Sequence, residues 1–341
     1  MRILLGMSGG LDSSYAALKL KEEGHSVEGA VLIMHEYTEL EAAREAAREV
    51  GIKLHEIDCR ALFEEAVIPN FISEYTKGRT PNPCIVCNRE VKFKALLDYA
   101  LENGFDKIAT GHYAAIRRTG NDGKAVICRS RDEKKDQSYM LWRLPREVIE
   151  NLILPISDMN KEQIREMALE RGLSSAKKRD SQEICFIPSG DYGAYIEERV
   201  GKSEPGDFVD REGRVLGRHN GILHYTVGQR KGLGIALGAR AFVTDIDPIT
   251  NRITLSFSAE EQSSFTVSDI IFSGVEPKRE GEICDFTVKV RYQAPPVSAR
   301  VEFLEGDRAR VTLTAAAKSV TAGQSAVFYD GDVLAFGGFI D

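Results

Sequence analysis

Residues 6–14 read Gly6-Met7-Ser8-Gly9-Gly10-Leu11-Asp12-Ser13-Ser14 and follow the apolar run Ile3-Leu4-Leu5. A short apolar strand that breaks at Ser-Gly-Gly and resumes with a helical pattern predicts an anion-binding loop. Gly9 and Gly10 tolerate positive φ, which turns successive backbone N–H groups toward one point. A helix beginning near Asp12 adds its positive end to the same place. Ser8, Ser13 and Ser14 offer hydroxyls, and Asp12 offers a carboxylate that could hold Mg2+ against phosphates. The loop is not GxxxxGK[ST], because the lysine that reaches the β and γ phosphates in that motif has no counterpart here.

Outward from this loop, the first 110 residues alternate strand and helix. Arg2–Leu5, Val27–Ile33, Lys53–Ile57 and Lys107–Ala109 are short apolar or β-rich runs. Between them, Leu40–Val50 sets Ala42, Ala43, Ala46, Ala47 and Val50 on one stripe, stopped by Gly51. This alternation predicts right-handed βαβ units, a parallel sheet, and a ligand crevice at the carboxyl ends of its strands. A further helix is expected over Asn160–Gly172, with Asn160 as N-cap, Gln163 as its reciprocal partner and Gly172 as the stop.

After about residue 200 the texture changes to short alternating strands parted by Gly, Pro, Asp and Asn. Ala241–Ile246, Arg252–Ser258, Ile283–Arg291, Ala299–Leu304 and Arg308–Thr314 are the clearest. The expected fold class is therefore α/β with a C-terminal β-barrel. The expected domains are 1–194, 195–258 and 259–341, the middle one a small module carrying Gly228-Gln229-Arg230-Lys231-Gly232-Leu233-Gly234.

With 341 residues and 43% hydrophobic content the chain can bury several cores. No run approaches the length of a membrane span, and the chain starts within a strand, so a cytoplasmic protein without signal peptide is expected. A net charge of −7 argues against a general nucleic-acid coat but allows local basic patches. Lys134-Lys135, Lys177-Lys178-Arg179 and Arg230-Lys231 are the candidates.

The six cysteines read as reduced thiols. Cys59, Cys128 and Cys284 lie in apolar or alternating segments and are expected in cores or strands. Cys87 follows Pro81-Asn82-Pro83-Cys84-Ile85-Val86, so it is expected near a helix start capped by Asn88, where the helix end would favour thiolate. Cys185 follows basic residues that would stabilise a sulfur anion, although its position between Ile184 and Phe186 also suits a core cysteine.

SGGLDS, TPNPCIVCN, ATGHY, KDQSY, KKRDSQEICFI, TVGQRKGLG, VKVRY and GQSAVFYDG follow one another along nearly the whole chain. The loop resembles the PP-loop of ATP pyrophosphatases (an adenine nucleotide alpha-hydrolase-like fold). The full set resembles the bacterial tRNA-specific 2-thiouridylases. That resemblance implies ATP-dependent adenylation of O2 of the wobble uridine in tRNAs for lysine, glutamate and glutamine. Sulfur would then come from a persulfide donor, either a cysteine desulfurase or a relay carrier.

By position it implies ATP contacts at Gly6, Met7, Ser8, Gly9, Gly10, Leu11, Asp12, Ser13, Leu32 and Gly111. Cys185 would receive persulfide sulfur. Cys87 would attack it, leaving a Cys87–Cys185 disulfide for reduction. Asn82, Pro83 and Cys84 would hold the target base, while His112, Lys135, Asp136, Gln137, Arg291, Tyr292 and Gln324 would contact tRNA. Known members carry aspartate where this chain has Cys84, and many have a longer acidic segment after the position of Ile33. Two alternatives remain: another PP-loop adenylating synthetase, or an iron–sulfur-dependent variant of the same thiolation in which Cys84, Cys87 and Cys185 hold a 4Fe–4S cluster with one open iron.

Overall fold

The structure, a computed structural model, describes residues 1–120, 123–177, 184–258, 261–318 and 320–341. Strand β1 (Arg2–Gly6) leads through the glycine loop into α1 (Leu11–Glu22), followed by β2 (Ser26–Ile33), α2 (Leu40–Val50), β3 (Leu54–Asp58) and α3 (Arg60–Thr76). Then come α4 (Pro83–Cys87), a π-helical turn over Asn88–Lys92, α5 (Phe93–Glu102) and β4 (Lys107–Thr110). After the hairpin β5 (Ala114–Thr119) and β6 (Lys124–Arg129), α6 (Arg146–Asn151), β7 (Leu152–Ile153) and α7 (Lys161–Glu170) complete this half.

The first sheet is parallel, in the order β3-β2-β1-β4-β7. Ile3, Leu4 and Leu5 are all fully buried, as expected for a central parallel strand covered on both faces. In α2 the stripe is Ala43, Ala46, Ala47 and Val50, and Gly51 ends the helix at φ +68°. Helix α7 has the expected reciprocal cap between Asn160 and Gln163.

Helix α8 (Tyr192–Val200) leads to a four-stranded sheet of β8 (Gly206–Val209), β9 (Val215–His219), β10 (Phe242–Asp247) and β11 (Arg252–Ser256). Six later strands follow: β12 (Glu261–Phe272), β13 (Ile283–Lys289), β14 (Val297–Leu304), β15 (Arg308–Lys318), β16 (Ser325–Asp330) and β17 (Val333–Ile340). They run β12-β15-β14-β13-β16-β17, and β12 pairs back onto β17, which closes a barrel. The sequence pattern conceals β12. Its polar start and the positive φ of Asp269, beside a register shift between Ser268 and Ile271, break the alternation.

The β5–β6 hairpin departs from a simple division of the chain, since β6 pairs with β17 at Cys128↔Val333. Ala114, Ala125 and Ile127 share one core with Leu4 and Trp142 on one side and Val327, Tyr329 and Leu334 on the other. Trp142 Nε1 donates to Ser325 Oγ at 3.0 Å and Tyr139 O–H to the Ser325 carbonyl at 2.8 Å. A Cβ on Gly337 would lie 2.5 Å from the Trp142 ring. The barrel is thus fused to the nucleotide-loop half through a continuous apolar seam and is not loosely tethered.

Candidate functional site

The glycine loop has the predicted form in part: Gly10 is extended at φ −82° and caps α1, whereas Gly9 sits at φ +75°, and a Cβ there would run into the backbone of Ala42 and Ala43, so α2 closes directly on the loop. The Ser13 and Ser14 hydroxyls both donate to the Gly10 carbonyl, at 3.1 and 2.8 Å, and Ser8 Oγ accepts from Gly10 N–H at 3.3 Å. Leu11 and Met7 are buried and anchor the loop from below. The first amides of α1 stay available to an anion.

Asp12 does something the sequence did not show. Both its carboxylate oxygens accept from Lys161 Nζ at 2.8 Å, and Oδ1 also accepts from Tyr113 O–H at 2.7 Å. Lys161 is the first residue of α7, buried to 6% exposure. Asp12 is thus ion-paired with a buried ammonium, and any Mg2+ arriving with ATP would share this carboxylate with Lys161.

From the loop, Thr110–His112 at the carboxyl end of β4 lead to the thiols. A Cβ on Gly111 would stand 2.8 Å from Asp12 C and Ser13 N, so this glycine lets β4 touch the start of α1. His112 Nδ1 is 2.8 Å from Thr110 Oγ1, and its ring lies 5.6 Å from that of Phe93. Burial, helped by the nearby Lys92 ammonium, depresses His112 to about 3. At neutral pH the ring is uncharged.

The thiols are set by α4 and the turn after it. Asn82, not Asn88, caps the helix: Asn82 Oδ1 accepts from Cys84 N–H at 3.2 Å, and Pro83 takes the first helical position. Cys84 is exposed on the first turn, whereas Cys87 is buried at the end of α4. Asn88 runs on in helical conformation and donates to the Met140 carbonyl at 2.9 Å.

Cys87 lies in an apolar cluster with Cys59, Phe63, Phe71 and Phe186, and its Sγ is 3.6 Å from Met34 Sδ. Burial pushes its thiol up to about 12, against the pull of Lys92. The expected helix-end thiolate is therefore corrected: Cys87 is a protonated thiol at rest.

Phe186 is what delivers Cys185. Its ring packs 5.3 Å from those of Phe63 and Phe71 and 5.5 Å from Tyr195, within the cluster that holds Cys87. Cys185 stays exposed beside this anchor, although the protein around it still raises its thiol, with Lys92 opposing. Residues 178–183, with the basic run expected to serve Cys185, lie outside the described residues. Leu32 and Ile184 pack on the same cluster. Among the described residues no set of three or more His, Cys, Asp or Glu side chains is disposed to hold a metal ion. The iron–sulfur alternative therefore finds no preformed ligand set among the described residues.

Comparison with known proteins decides the lineage. A profile described as the tRNA methyl transferase HUP domain matches residues 1–189, its PRC-barrel domain matches 193–256, and an aminomethyltransferase beta-barrel domain matches 262–340. The tRNA-specific 2-thiouridylase MnmA of Clostridium perfringens is 42% identical over 100% of this chain and 98% of its own length. That of Acetivibrio thermocellus is 43% identical over 99% of both. The chain belongs to the tRNA-specific 2-thiouridylase family. Among solved structures, a 4-thiouridine synthetase–RNA complex aligns with TM-score 0.38 and 20% identity, over 58% of this chain and 50% of the other.

Against this family's expected tRNA contacts the structure is selective. Asp136 is buried, and its carboxylate accepts from Ser130 N–H, Ser138 N–H and Ser138 O–H at 3.1, 3.2 and 2.9 Å. It organises the loop and cannot also meet RNA, so that assignment is corrected. Gln137 Oε1 accepts from Tyr113 N–H at 2.9 Å, and Lys135 is half-buried beside Asp132. Gln324 Nε2 donates to the Thr80 carbonyl at 2.8 Å, and Thr80 N–H donates to the Ala322 carbonyl at 3.0 Å. The barrel therefore grips the strand of chain that enters Asn82-Pro83-Cys84.

Arg291 Nη2 donates to Thr321 Oγ1 at 2.6 Å and to the Val227 carbonyl at 3.1 Å. It also lines an open cleft of about 790 Å³ with Gln229, Arg230, Lys231 and His224. Tyr292 lies 6.1 Å from the Tyr139 ring, and burial pushes its phenol up to about 12. Sequence reasoning missed Lys161 and Lys92 because each is one lysine on an amphipathic helix, indistinguishable there from a solvated one.

Proposed function

We propose that this protein is a tRNA 2-thiouridylase that activates the wobble uridine with ATP and replaces O2 with sulfur. The observation that carries this is a glycine anion loop in the same domain as a buried thiol, Cys87, and an exposed one, Cys185, whose neighbour Phe186 packs in the Cys87 cluster. A loop of this kind binds the triphosphate through backbone amides. Attack of the uracil O2 on the α-phosphorus would release pyrophosphate and leave AMP as a good leaving group. Mg2+ would arrive with ATP, and none of the steps drawn here is assigned to it.

The persulfide donor loads Cys185, the accessible thiol. Cys87 then displaces the outer sulfur as HS−, which replaces AMP at C2, and a thiol reductant reopens the Cys87–Cys185 disulfide. A wobble base reaches this point only when turned out of the anticodon stack, toward Asn82-Pro83-Cys84. The substrates would be the tRNAs for lysine, glutamate and glutamine, and the setting the cytoplasm. The thiol pair favours thiolation over the methyl transfer in the profile's name.

Purified protein, ATP, substrate tRNA and a persulfide donor should yield AMP, pyrophosphate and 2-thiouridine in equal amounts. Cys185→Ser should abolish loading, and Cys87→Ser should load without turning over. ADP and orthophosphate as products, or full thiolation by both variants, would reject the assignment.

A further inference from the structure

The segment Asn88–Lys92 is a π-helical turn between two α-helices, closed by Phe93 N–H to the Asn88 carbonyl. Such turns are rare and recur at functional sites. In an i→i+5 turn, residue i+5 comes round closer to the face of residue i than it does in an α-helix, so the widened turn brings Lys92 toward the face that carries Cys87. A regular α-helix would carry it well to one side. Lys92 is half-buried and makes no ion pair or hydrogen bond among the described residues. The groups that act on its charge are Cys87, Cys84 and Cys185, and His112 and His35 feel it in turn. Both imidazoles are held neutral by burial with Lys92 adding to the effect, so among the described residues the cation whose charge reaches all three sulfurs is Lys92.

We propose that Lys92 is the counter-charge of the sulfur-transfer centre, a positioning residue that holds the sulfur anion as it passes from Cys185 to Cys87 and out to the base. This rests on the thiolation reading above. The chemistry requires such a group. Loaded Cys185 bears a persulfide anion, and Cys87 is a thiol. Proton transfer from Cys87 to the outer persulfide sulfur makes the Cys87 thiolate. Its attack on Cys185 Sγ forms the Cys87–Cys185 bond, breaks the S–S bond and expels HS−. One negative charge is present at every stage, in an apolar pocket where an unpaired anion is costly. An ammonium whose charge reaches all three sulfurs offsets the negative charge at each stage.

Peptide-resolved alkylation by iodoacetamide across pH 6–10 tests this in the free enzyme, with Cys284 in the barrel as internal reference. Lys92→Met and Lys92→Gln should raise the apparent pKa of Cys185 by about one unit, a roughly tenfold slower reaction at neutral pH. Lys92→Arg should restore most of it, which a merely structural lysine would not require. Single-turnover release of sulfur from preloaded Cys185 should slow in the same order. If Lys92→Met does not fold, the Lys92→Gln profile alone decides. Superimposable Cys185 profiles in wild type and the charge-removed variants would overturn the proposal. Failure of the wild type to thiolate tRNA would instead reject the functional reading and leave the alkylation result standing.

Discussion

His112 is the residue whose charge state matters most outside the thiols. Folded it titrates near 3 and unfolded near 6.5, so between those values the unfolded chain binds one more proton. Stability is therefore complete above about pH 6.5 and is lost as pH falls, by roughly 1.4 kcal/mol per pH unit from this group. His112→Asn should flatten the acid limb of a urea stability profile by about one proton, and an unchanged limb would show the ring is not held neutral. Cys84 offers a second residue-scale test. It is exposed, with its N–H capped by Asn82, on the first turn of a helix. A carboxylate is favoured at such a position by a few tenths of a kcal/mol. Cys84→Asp should keep the melting temperature and single-turnover thiolation of the wild type; loss of thiolation alone would make Cys84 a working thiol.

Among the elements, the loop and α1 were readable because their chemistry is local. Glycine at positive φ, the alanine stripe of α2 and the Asn160–Gln163 cap all declare themselves within one or two turns of chain. What joins elements was not readable. Lys161 reaches Asp12 across 149 residues, and the π turn that aims Lys92 depends on tertiary packing, with Asn88 tied to Met140. Cys87 misled for the same reason, since its proximity to a helix start is local while the burial that keeps it protonated comes from α3 and Phe186. The Asp12–Lys161 pair changes the meaning of a common loop mutation. Asp12→Ala removes a carboxylate that is 30% exposed from a Lys161 ammonium whose side chain is only 8% exposed. It should cost roughly 2–3 kcal/mol of stability. Chemical denaturation should show that loss together with defective adenylation, and Asp12→Ala/Lys161→Met should recover much of the stability without the activity. A single variant as stable as wild type would mean the pair contributes little.

At the scale of the whole molecule, the barrel serves two ends at once. Its 321–324 turn holds Thr80 and through it the segment entering Asn82-Pro83-Cys84, while Arg291 ties Thr321 to Val227 in the central module. The cleft beside Arg291 carries Arg230 and Lys231, both exposed, in a chain of net charge −7. Local positive charge there would attract a phosphate backbone while the acidic remainder discourages unspecific binding. The two kinds of cation should behave differently. Removing Arg230 and Lys231 together ought to weaken tRNA binding and make the log Kd against log salt plot shallower by about two units, one per phosphate contact. Melting temperature should hold, because neither side chain is buried. Arg291→Ala should lower the melting temperature, because the Thr321 hydroxyl and the Val227 carbonyl each lose a hydrogen bond from a half-buried guanidinium, and should weaken tRNA binding about tenfold. Fluorescence anisotropy with labelled tRNA at several salt concentrations, beside thermal melts, separates these effects. An unchanged salt slope in the Arg230→Ala/Lys231→Ala variant would remove the cleft from the RNA path and leave Arg291 as a brace between barrel and module.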